Sequence, residues 1–221
     1  MLRLDEQIKK DVIDQLYWDS RVDASNINVK VDQGRVTLTG TVPTYFANSS
    51  AVNSVWAVEG VKDLNNQLEI KYPQSIVRPT DNEVEAKVEN RIMDSPDIGI
   101  QDININVDAG WVKLEGSVDT YWKRIYVEDI ISKLNGVRGI ENKLTVVPSE
   151  DYLDKNIADK VSSALERNMY VNENKINVKV EDGVVTLSGK LRNQRAIQEA
   201  FESAYHTIGV KDVDDQFLLA S

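Results

Sequence analysis

Residues that could support catalysis are few in this 221-residue chain. His206 is the only histidine and there is no cysteine, so zinc chemistry and thiol chemistry lack their usual ligands. The densest carboxylates are Asp212, Asp214 and Asp215, which we interpret as a solvated loop, with a weak cation site as the alternative. The sequence has no phosphate-binding glycine loop and no serine nucleophile motif. We predict that the protein is not an enzyme and has no cofactor and no metal.

Aromatic side chains are better candidates for binding a ligand or a partner. Three neighbouring pairs stand at the ends of predicted helices: Tyr17 and Trp18, Tyr45 and Phe46, and Tyr121 and Trp122. The second and third pairs occupy equivalent positions of a repeat whose third copy has Gln194 and Arg195 there. Residues that maintain the fold should occur in every copy. Each pair therefore either packs against a neighbouring helix or module, or is exposed to a lipid interface or a partner's pocket.

The repeat that positions these residues is marked by nine structural glycines. The spacing within each copy is constant, and segments 5–70, 81–146 and 154–219 align without a gap. The glycines are Gly34, Gly40, Gly60, Gly110, Gly116, Gly136, Gly183, Gly189 and Gly209. Copies of this length are large enough to be small domains rather than turns of a solenoid.

Hydrophobic periodicity predicts the same elements in each copy. In the first, Ile8, Val12 and Leu16 fall on one face of a helix, and the Asp5 carboxylate suits its N-cap or first turn. Thr80 and Glu83 predict a capping box at the start of the second copy. Two alternating strands form a hairpin, a second helix covers roughly 44–58, and a third strand follows.

The two hairpin glycines of each copy are predicted to serve different purposes. Gly34 ends a three-residue turn, where the last residue needs a positive φ. Gly40 points inward by alternation, so we expect the second helix to press on the strand there and leave no space for a Cβ. A right-handed crossover then makes the third strand parallel to the second.

The predicted fold class is therefore α+β. It comprises three tandem αββαβ modules, each a three-stranded mixed sheet with two helices on one face. The predicted boundaries are 1–72, 78–148 and 150–221. A module of this size buries only about 60% of the surface of its unfolded chain and is marginally stable alone, so we expect neighbouring modules to contact one another.

Composition narrows the possible partners and compartments. The formal net charge is −10 with no cluster of Lys and Arg, which argues against nucleic-acid binding and against electrostatic docking on anionic lipid. No apolar run is long enough to span a bilayer. The N-terminus has no signal-peptide pattern, so we predict a cytoplasmic protein, with a periplasmic location as the alternative if a native signal is missing.

The pattern Ile-x-Val-x-Val, Gly-x-Val-x-Leu-x-Gly and Gly-Val-Lys-x-Val, repeated three times, resembles the BON domain of osmotically inducible bacterial proteins and other envelope proteins. The resemblance covers almost the whole chain. It implies an αββαβ fold and a non-enzymatic, stress-linked role, often association with phospholipid, and it brings no catalytic residues. Some proteins of this family are associated with potassium, which keeps a monovalent-cation site as a weaker hypothesis.

Two hypotheses for the binding activity follow. In the first, the chain contacts phospholipid through its aromatic pairs. In the second, it is a cytoplasmic scaffold that binds another protein or assembles with itself. The oligomeric state is left open by the sequence.

Overall fold

The computed structural model describes residues 4–72, 78–96, 98, 103–171, 176–191 and 193–219. The first module contains α1 (Asp5–Trp18), β1 (Ile27–Asp32), β2 (Arg35–Val42), α2 (Tyr45–Trp56) and β3 (Asp63–Ile70). The second contains α3 (Asp81–Met93), β4 (Ile103–Asp108), β5 (Trp111–Val118), α4 (Tyr121–Ser132) and β6 (Gly139–Val146). The third contains α5 (Asp154–Arg167), β7 (Ile176–Glu181), β8 (Val184–Leu191), α6 (Gln194–Tyr205) and β9 (Asp212–Leu219).

Each module has its own three-stranded sheet, in the orders β1-β2-β3, β4-β5-β6 and β7-β8-β9. In the first module, β1 pairs with β2 antiparallel and β2 pairs with β3 parallel. The third module repeats both pairings. The α+β fold of three αββαβ modules with mixed sheets is therefore confirmed.

The core of the first module lies between its two helices and one face of its sheet. Ile8, Val12 and Leu16 of α1 are buried together with Ala51 and Val55 of α2. These side chains cover the alternate sheet residues Val29, Val36 and Leu38. Burying each large aliphatic side chain stabilises the fold by about 1.5–3 kcal/mol. Because both helices bury this one face, the side chains that alternate with it, such as Asn28 and Thr37, lie on the other face.

The aspartate that opens each module holds the hairpin turn instead of capping its own helix. The Asp5 carboxylate accepts hydrogen bonds from the backbone N–H groups of Gln33 (2.8 Å) and Gly34 (2.9 Å). Asp81 and Asp154 hold the turns of their own modules in the same way. The residue at the N-cap of α1 is Leu4, whose side chain forms no capping bond. Of the two predicted positions, the N-cap is therefore wrong and the first turn is confirmed, because α1 begins at Asp5. The repeated carboxylate fixes the helix start to the turn.

The hairpin turn has two residues, where three were predicted. Asp32 and Arg35 are already paired across the strands, which leaves Gln33 (φ 52°) and Gly34 (φ 81°) between them. Positive φ at both central residues is the pattern of a type I′ turn, whose twist matches that of the flanking strands. The second and third modules place Ala109 and Asp182 in the same unfavourable region, and each donates its N–H to the module's aspartate.

Gly40 lacks space for a side chain, as predicted, but the neighbour is different. A Cβ there would overlap the backbone carbonyl oxygen of Asn26, just before β1, and not the second helix. The backbone of Gly40 also has φ +121°, which residues with a Cβ rarely adopt. The constraint on Gly40 therefore comes from the hairpin itself.

The starts of several helices carry the side-chain caps that their sequences suggest. The predicted capping box is confirmed: Thr80 N–H donates to Glu83 Oε2 at 2.8 Å, and Glu83 N–H donates to Thr80 Oγ1 at 3.4 Å. The Glu83 carboxylate accepts the Thr80 N–H and the Thr80 hydroxyl, and these two bonds lower the pKa of the Glu83 carboxyl. Thr44 caps α2 and Asn193 caps α6, each by accepting the N–H three residues later.

Contacts divide the chain into two compact units. Unit 1 contains Met1–Val88, Asn106–Val112 and Ile130–Glu141, and unit 2 contains Glu89–Ile105, Lys113–Asp129 and Asn142–Ser221. The middle module contributes to both. Each unit therefore holds one outer module together with a part of the middle module.

Candidate functional site

The first aromatic pair lies at the exposed end of α1. Tyr17 is 71% exposed and Trp18 is 81% exposed. Their rings meet edge to face, with centroids 5.3 Å apart. Ile13, one helical turn before Tyr17, is also exposed. Tyr17, Trp18 and Ile13 form a small apolar surface, which we call the α1 patch. Exposed tyrosine and tryptophan side chains are common at interfaces, because each has an apolar ring and a polar edge.

A charged cluster fixes the end of the helix that carries this patch. Asp19 follows Trp18 directly, and its carboxylate accepts hydrogen bonds from Arg21 Nε at 2.9 Å and Nη2 at 2.7 Å. It also accepts the Ser54 hydroxyl of α2 at 2.7 Å. The Arg21 guanidinium, with Ser54 adding to it, holds the pKa of the Asp19 carboxyl well below its usual range. The patch is thus presented at a helix end that is tied to α2 and not on a free loop.

Tyr121 occupies a different environment, inside unit 2. It is only 6% exposed, and its ring lies 6.3 Å from that of Phe201 and 6.5 Å from that of Tyr205. Burial, and then the Asp212 carboxylate beside it, raise the pKa of the Tyr121 phenol to about 12. The Arg124 guanidinium lies 5.7 Å from the ring and 3.8 Å from Asp212. Tyr121 therefore joins the second module to the third, in a position that a lipid does not reach.

The neighbouring Trp122 is half-buried and packs on its own helix. Its ring lies 5.9 Å from that of Tyr126, and Lys123 Nζ lies 6.0 Å from the ring. In unit 1, Phe46 is likewise half-buried. Of the six aromatic residues predicted to bind a ligand or partner, only Tyr17 and Trp18 are mostly exposed.

Tyr45 lines a cavity of about 280 Å³ in unit 1. The other lining residues are Asn48, Leu68, Ile70, Trp111 and Arg138. The cavity thus has walls from the first module and from the part of the second module that belongs to the same unit. Trp111 and Arg138 were not predicted as site residues, because nothing in their local sequence indicates that they approach Tyr45.

The tyrosines of the second and third aromatic pairs have equivalent surroundings. Tyr45 and Tyr121 both face residues of the module that follows in sequence. The equivalent residue of the third module is Gln194. Tyrosine at this position therefore belongs to the contact between modules, which was the packing alternative in the sequence interpretation.

Several other apolar residues are exposed but were not predicted as binding residues, because they form no aromatic pair that recurs between modules. Met169 is 85% exposed, and Met93, Leu153 and Ile208 are also exposed. Tyr170 is covered on one face by the Arg195 guanidinium, 4.5 Å from its ring centroid. None of these forms a neighbouring pair of exposed rings like that of Tyr17 and Trp18.

The three aspartates of the acidic cluster lie in strand β9. The predicted loop was wrong. Asp212 and Asp214 pair with Val184 and Thr186, whereas Asp215 pairs with Leu187. Successive side chains point to opposite faces of a strand, so the three carboxylates do not converge. Across the described residues, no three His, Cys, Asp or Glu side chains are arranged to hold a metal ion. His206 is the exposed C-cap residue of α6.

Comparison with known families decides the assignment. The BON domain matches at residues 4–72, 80–148 and 153–221. The chain belongs to the BON domain family. Each match covers one αββαβ module, and the three matched segments carry the hairpin glycines and the opening aspartates described above.

Two relatives and one solved structure illustrate the similarity. The BON chain is 24% identical over 143 residues to osmotically-inducible protein Y of Escherichia coli, covering 63% of this chain and 71% of that protein. It is 26% identical over 118 residues to an uncharacterized protein in the gshII 5'region of Anaplasma centrale, covering 52% of this chain and 78% of that one. The C-terminal domain of CdsD, a structural protein of the type III secretion system of Chlamydia trachomatis, aligns at 15% identity with a TM-score of 0.28, over 100% and 99% of the two chains.

The exposed aromatic residues of the described chain offer apolar surface for contact. Among the described helices, none is both long and apolar enough to cross a membrane. The side chains of the α1 patch supply exposed aromatic and aliphatic surface. Such groups can insert among lipid headgroups or into a partner's pocket.

Proposed function

We propose that this BON protein is a non-catalytic, stress-linked protein of the cell envelope that associates with phospholipid surfaces through the α1 patch. The observation that carries the proposal is the exposure of the Tyr17 and Trp18 rings at a helix end fixed by Asp19. Membership of the BON family supports the same reading, because the resemblance implies phospholipid association. The half-buried Phe46 and Trp122 are secondary contacts in this proposal, while Tyr45 and Tyr121 serve contacts between modules.

Physical chemistry favours shallow insertion at the lipid–water interface. Tyrosine and tryptophan prefer this region, where the ring lies among apolar groups and the polar edge reaches water. The net charge of −10 opposes approach to an anionic surface. Binding should therefore depend on apolar contact, change little with salt, and be stronger on zwitterionic than on anionic vesicles.

The name of one relative suggests that osmotic stress is the condition under which this protein acts. Osmotically-inducible protein Y is named for its induction, and we propose that the present chain also accumulates under osmotic stress. An envelope function requires the protein to reach the envelope, whereas the sequence predicts a cytoplasmic location. Cell fractionation after an osmotic upshift would decide between them: recovery with the envelope fraction agrees with the proposal, and recovery only with cytosolic markers opposes it.

Vesicle flotation tests the lipid contact directly. The full chain is mixed with phosphatidylcholine vesicles, or with vesicles containing phosphatidylglycerol, and floated on a density gradient. We expect the chain to float with phosphatidylcholine and the Tyr17→Ala/Trp18→Ala variant to lose at least about tenfold in partitioning, since each ring contributes more than 1 kcal/mol of apolar burial. Met169→Ala is the matched control, because it removes one highly exposed apolar side chain from another module.

Two outcomes would reject the lipid contact. One is the absence of flotation with every vesicle composition, and the other is equal flotation of the wild-type chain and the double variant. If the wild-type chain instead elutes as a stable complex with itself or with one protein, and the double variant does not, the α1 patch is a protein interface and the scaffold hypothesis replaces the lipid hypothesis.

A further inference from the structure

The contact between the first and second modules contains an open cavity, whereas the equivalent contact in unit 2 is filled by aromatic rings. In unit 2, Tyr121 packs with Phe201 and Tyr205. The second module has Glu128 and Ser132 at the positions equivalent to those two rings. The two rings that pack on Tyr121 thus have no aromatic equivalent in the sequence of the second module, where Tyr45 is the residue equivalent to Tyr121. Tyr45 lines a cavity of about 280 Å³ instead.

The far wall of this cavity is built from residues that differ from those of the other modules. In the first module, Arg35 and Asp63 are cross-strand partners and form an ion pair at 2.7 Å. The equivalent residues of the second module are Trp111 and Gly139. The Trp111 ring covers Gly139 so closely that a Cβ there would overlap it. Where the first module has an exposed ion pair, the second module has the flat apolar ring of Trp111. The ring can take this position because residue 139 is a glycine.

A guanidinium group adds positive charge to the same cavity. Arg138 stands where the other modules have Lys62 and Lys211. In the described part of the chain, no carboxylate is paired with it. Arginine presents a planar fork that binds a carboxylate through two parallel hydrogen bonds, which lysine cannot do. Arg78, whose guanidinium lies 5.8 Å from the Tyr72 ring, adds positive charge near Arg138, because both guanidinium groups act on the Tyr72 phenol.

The remaining walls are mixed. Leu68 and Ile70 supply aliphatic surface. The Asn48 side chain is held in place, donating to the Leu68 carbonyl at 3.3 Å and accepting from Asn66 at 2.8 Å. A ligand here meets aromatic and aliphatic surface with a cationic group at one side. Small-molecule sites commonly combine apolar walls with few polar groups.

We propose that this cavity, which we call the Arg138 cavity, binds a small organic carboxylate with a flat apolar body. The carboxylate would pair with the Arg138 guanidinium, and the ring would lie between Tyr45 and Trp111. The volume suits a single ring and its carboxylate, because it is near the lower end of about 300–1,000 Å³ for ligand pockets. The site is separate from the α1 patch and goes beyond the proposed function.

Nuclear magnetic resonance of the full chain tests the site with three matched probes. Benzoate has the ring and the charge, benzyl alcohol has the ring alone, and acetate has the charge alone. The readout is the indole N–H signal of Trp111, assigned by its loss in Trp111→Phe. We expect benzoate to shift this signal saturably, with an affinity at least about tenfold above those of the other two probes, because only benzoate makes both the apolar contact and the charged hydrogen bonds.

Two variants localise the binding. Arg138→Gln should reduce benzoate affinity at least about tenfold. Lys62→Gln, which also removes one positive charge at the equivalent position of the first module, should leave the affinity unchanged. Leu68→Phe should fill the cavity and abolish binding. It should also fold, because the third module has Phe217 at the same position, and its melting temperature checks this. Tyr17→Ala/Trp18→Ala should bind benzoate normally, so failure of the lipid contact and failure of this site are distinguishable.

The proposal is overturned if benzoate does not shift the Trp111 signal or if the three probes bind alike. It is also overturned if a folded Leu68→Phe variant binds benzoate as the wild type does. If the Arg138→Gln variant and the Lys62→Gln variant each lose benzoate binding, benzoate responds to the overall charge and not to this cavity.

Discussion

Asp5, Asp81 and Asp154 show how one side chain can define a repeat. Each carboxylate accepts two backbone N–H groups of the hairpin turn about 28 residues later in the chain. Those N–H groups point away from the hairpin ladder, so no strand partner satisfies them. The carboxylate satisfies both, and it also lies at the positive end of its helix. One residue thereby connects the helix, the turn and the strands.

The Asp5 contact can be tested by removing one of its two acceptors. Asp5→Asn should lower the free energy of unfolding of the first module by about 1–2 kcal/mol, because an amide oxygen accepts more weakly than a carboxylate. Hydrogen exchange should also become faster at the Gln33 and Gly34 amides. Glu6→Gln removes the same charge from the neighbouring residue of α1 and should change neither quantity. Unchanged exchange at Gly34 in Asp5→Asn would show that the contact does not restrain the turn.

The hairpin is the element that most restricts the sequence of each module. Its turn requires positive φ at two successive residues, and its second strand requires a glycine where the backbone passes the residue before the first strand. The helices accept more variation, since their core positions alternate between alanine, valine and isoleucine among the three modules. A strand that contacts other backbone at close range tolerates less change than a helix that contacts side chains, because side chains can adjust.

Gly40→Ala is therefore expected to be severely destabilising for the first module. The added methyl group would overlap the Asn26 carbonyl oxygen, and the backbone would have to keep φ +121° or leave the strand. A strained φ alone costs about 1–3 kcal/mol, and the overlap adds to it. Thr41→Ala, at the next position of β2, should cost less than about 1 kcal/mol. Urea unfolding measures both. A Gly40→Ala chain as stable as Thr41→Ala would contradict the steric argument.

Contacts between neighbouring modules operate at the scale of the whole chain. Tyr121 is the clearest case, buried against two rings of the third module and beside the Asp212 carboxylate. Its raised pKa links this contact to pH. The unfolded chain ionises a tyrosine near pH 10, whereas the folded chain holds the Tyr121 phenol neutral up to about pH 12. The stabilisation is therefore complete below pH 10 and is lost as the pH rises from there to about 12.

Tyr121→Phe should make the alkaline loss of stability shallower. The variant keeps the ring and lacks the ionisable hydroxyl, so at pH 8 its free energy of unfolding should lie within about 1 kcal/mol of the wild type. Between pH 10 and 12 its stability should fall less steeply, as followed by urea unfolding of unit 2. Tyr17→Phe, which alters an exposed tyrosine, should retain the wild-type pH dependence. If the free energy of unfolding falls equally steeply between pH 10 and 12 in Tyr121→Phe and in the wild type, ionisation of this phenol does not cause the loss of stability at alkaline pH.

The sequence determined the modules because their signals are local. Hydrophobic periodicity, paired glycines and a constant spacing predicted the element order, the mixed sheets and the family, since each depends on residues close together in the chain. The capping box at Thr80 was visible for the same reason. The boundaries of the modules and a role without catalysis stay predictions.

Only the tertiary structure separated the three aromatic pairs. In sequence they look alike, yet Tyr17 and Trp18 are exposed, Tyr121 is buried, and Tyr45 lines a cavity with Trp111 and Arg138. The exposure of a ring depends on which residues of another module approach it, and no local pattern encodes that approach. The role of Asp5 and the steric limit at Gly40 were also decided by contacts with distant backbone, where the physical cause is the close approach of chain segments.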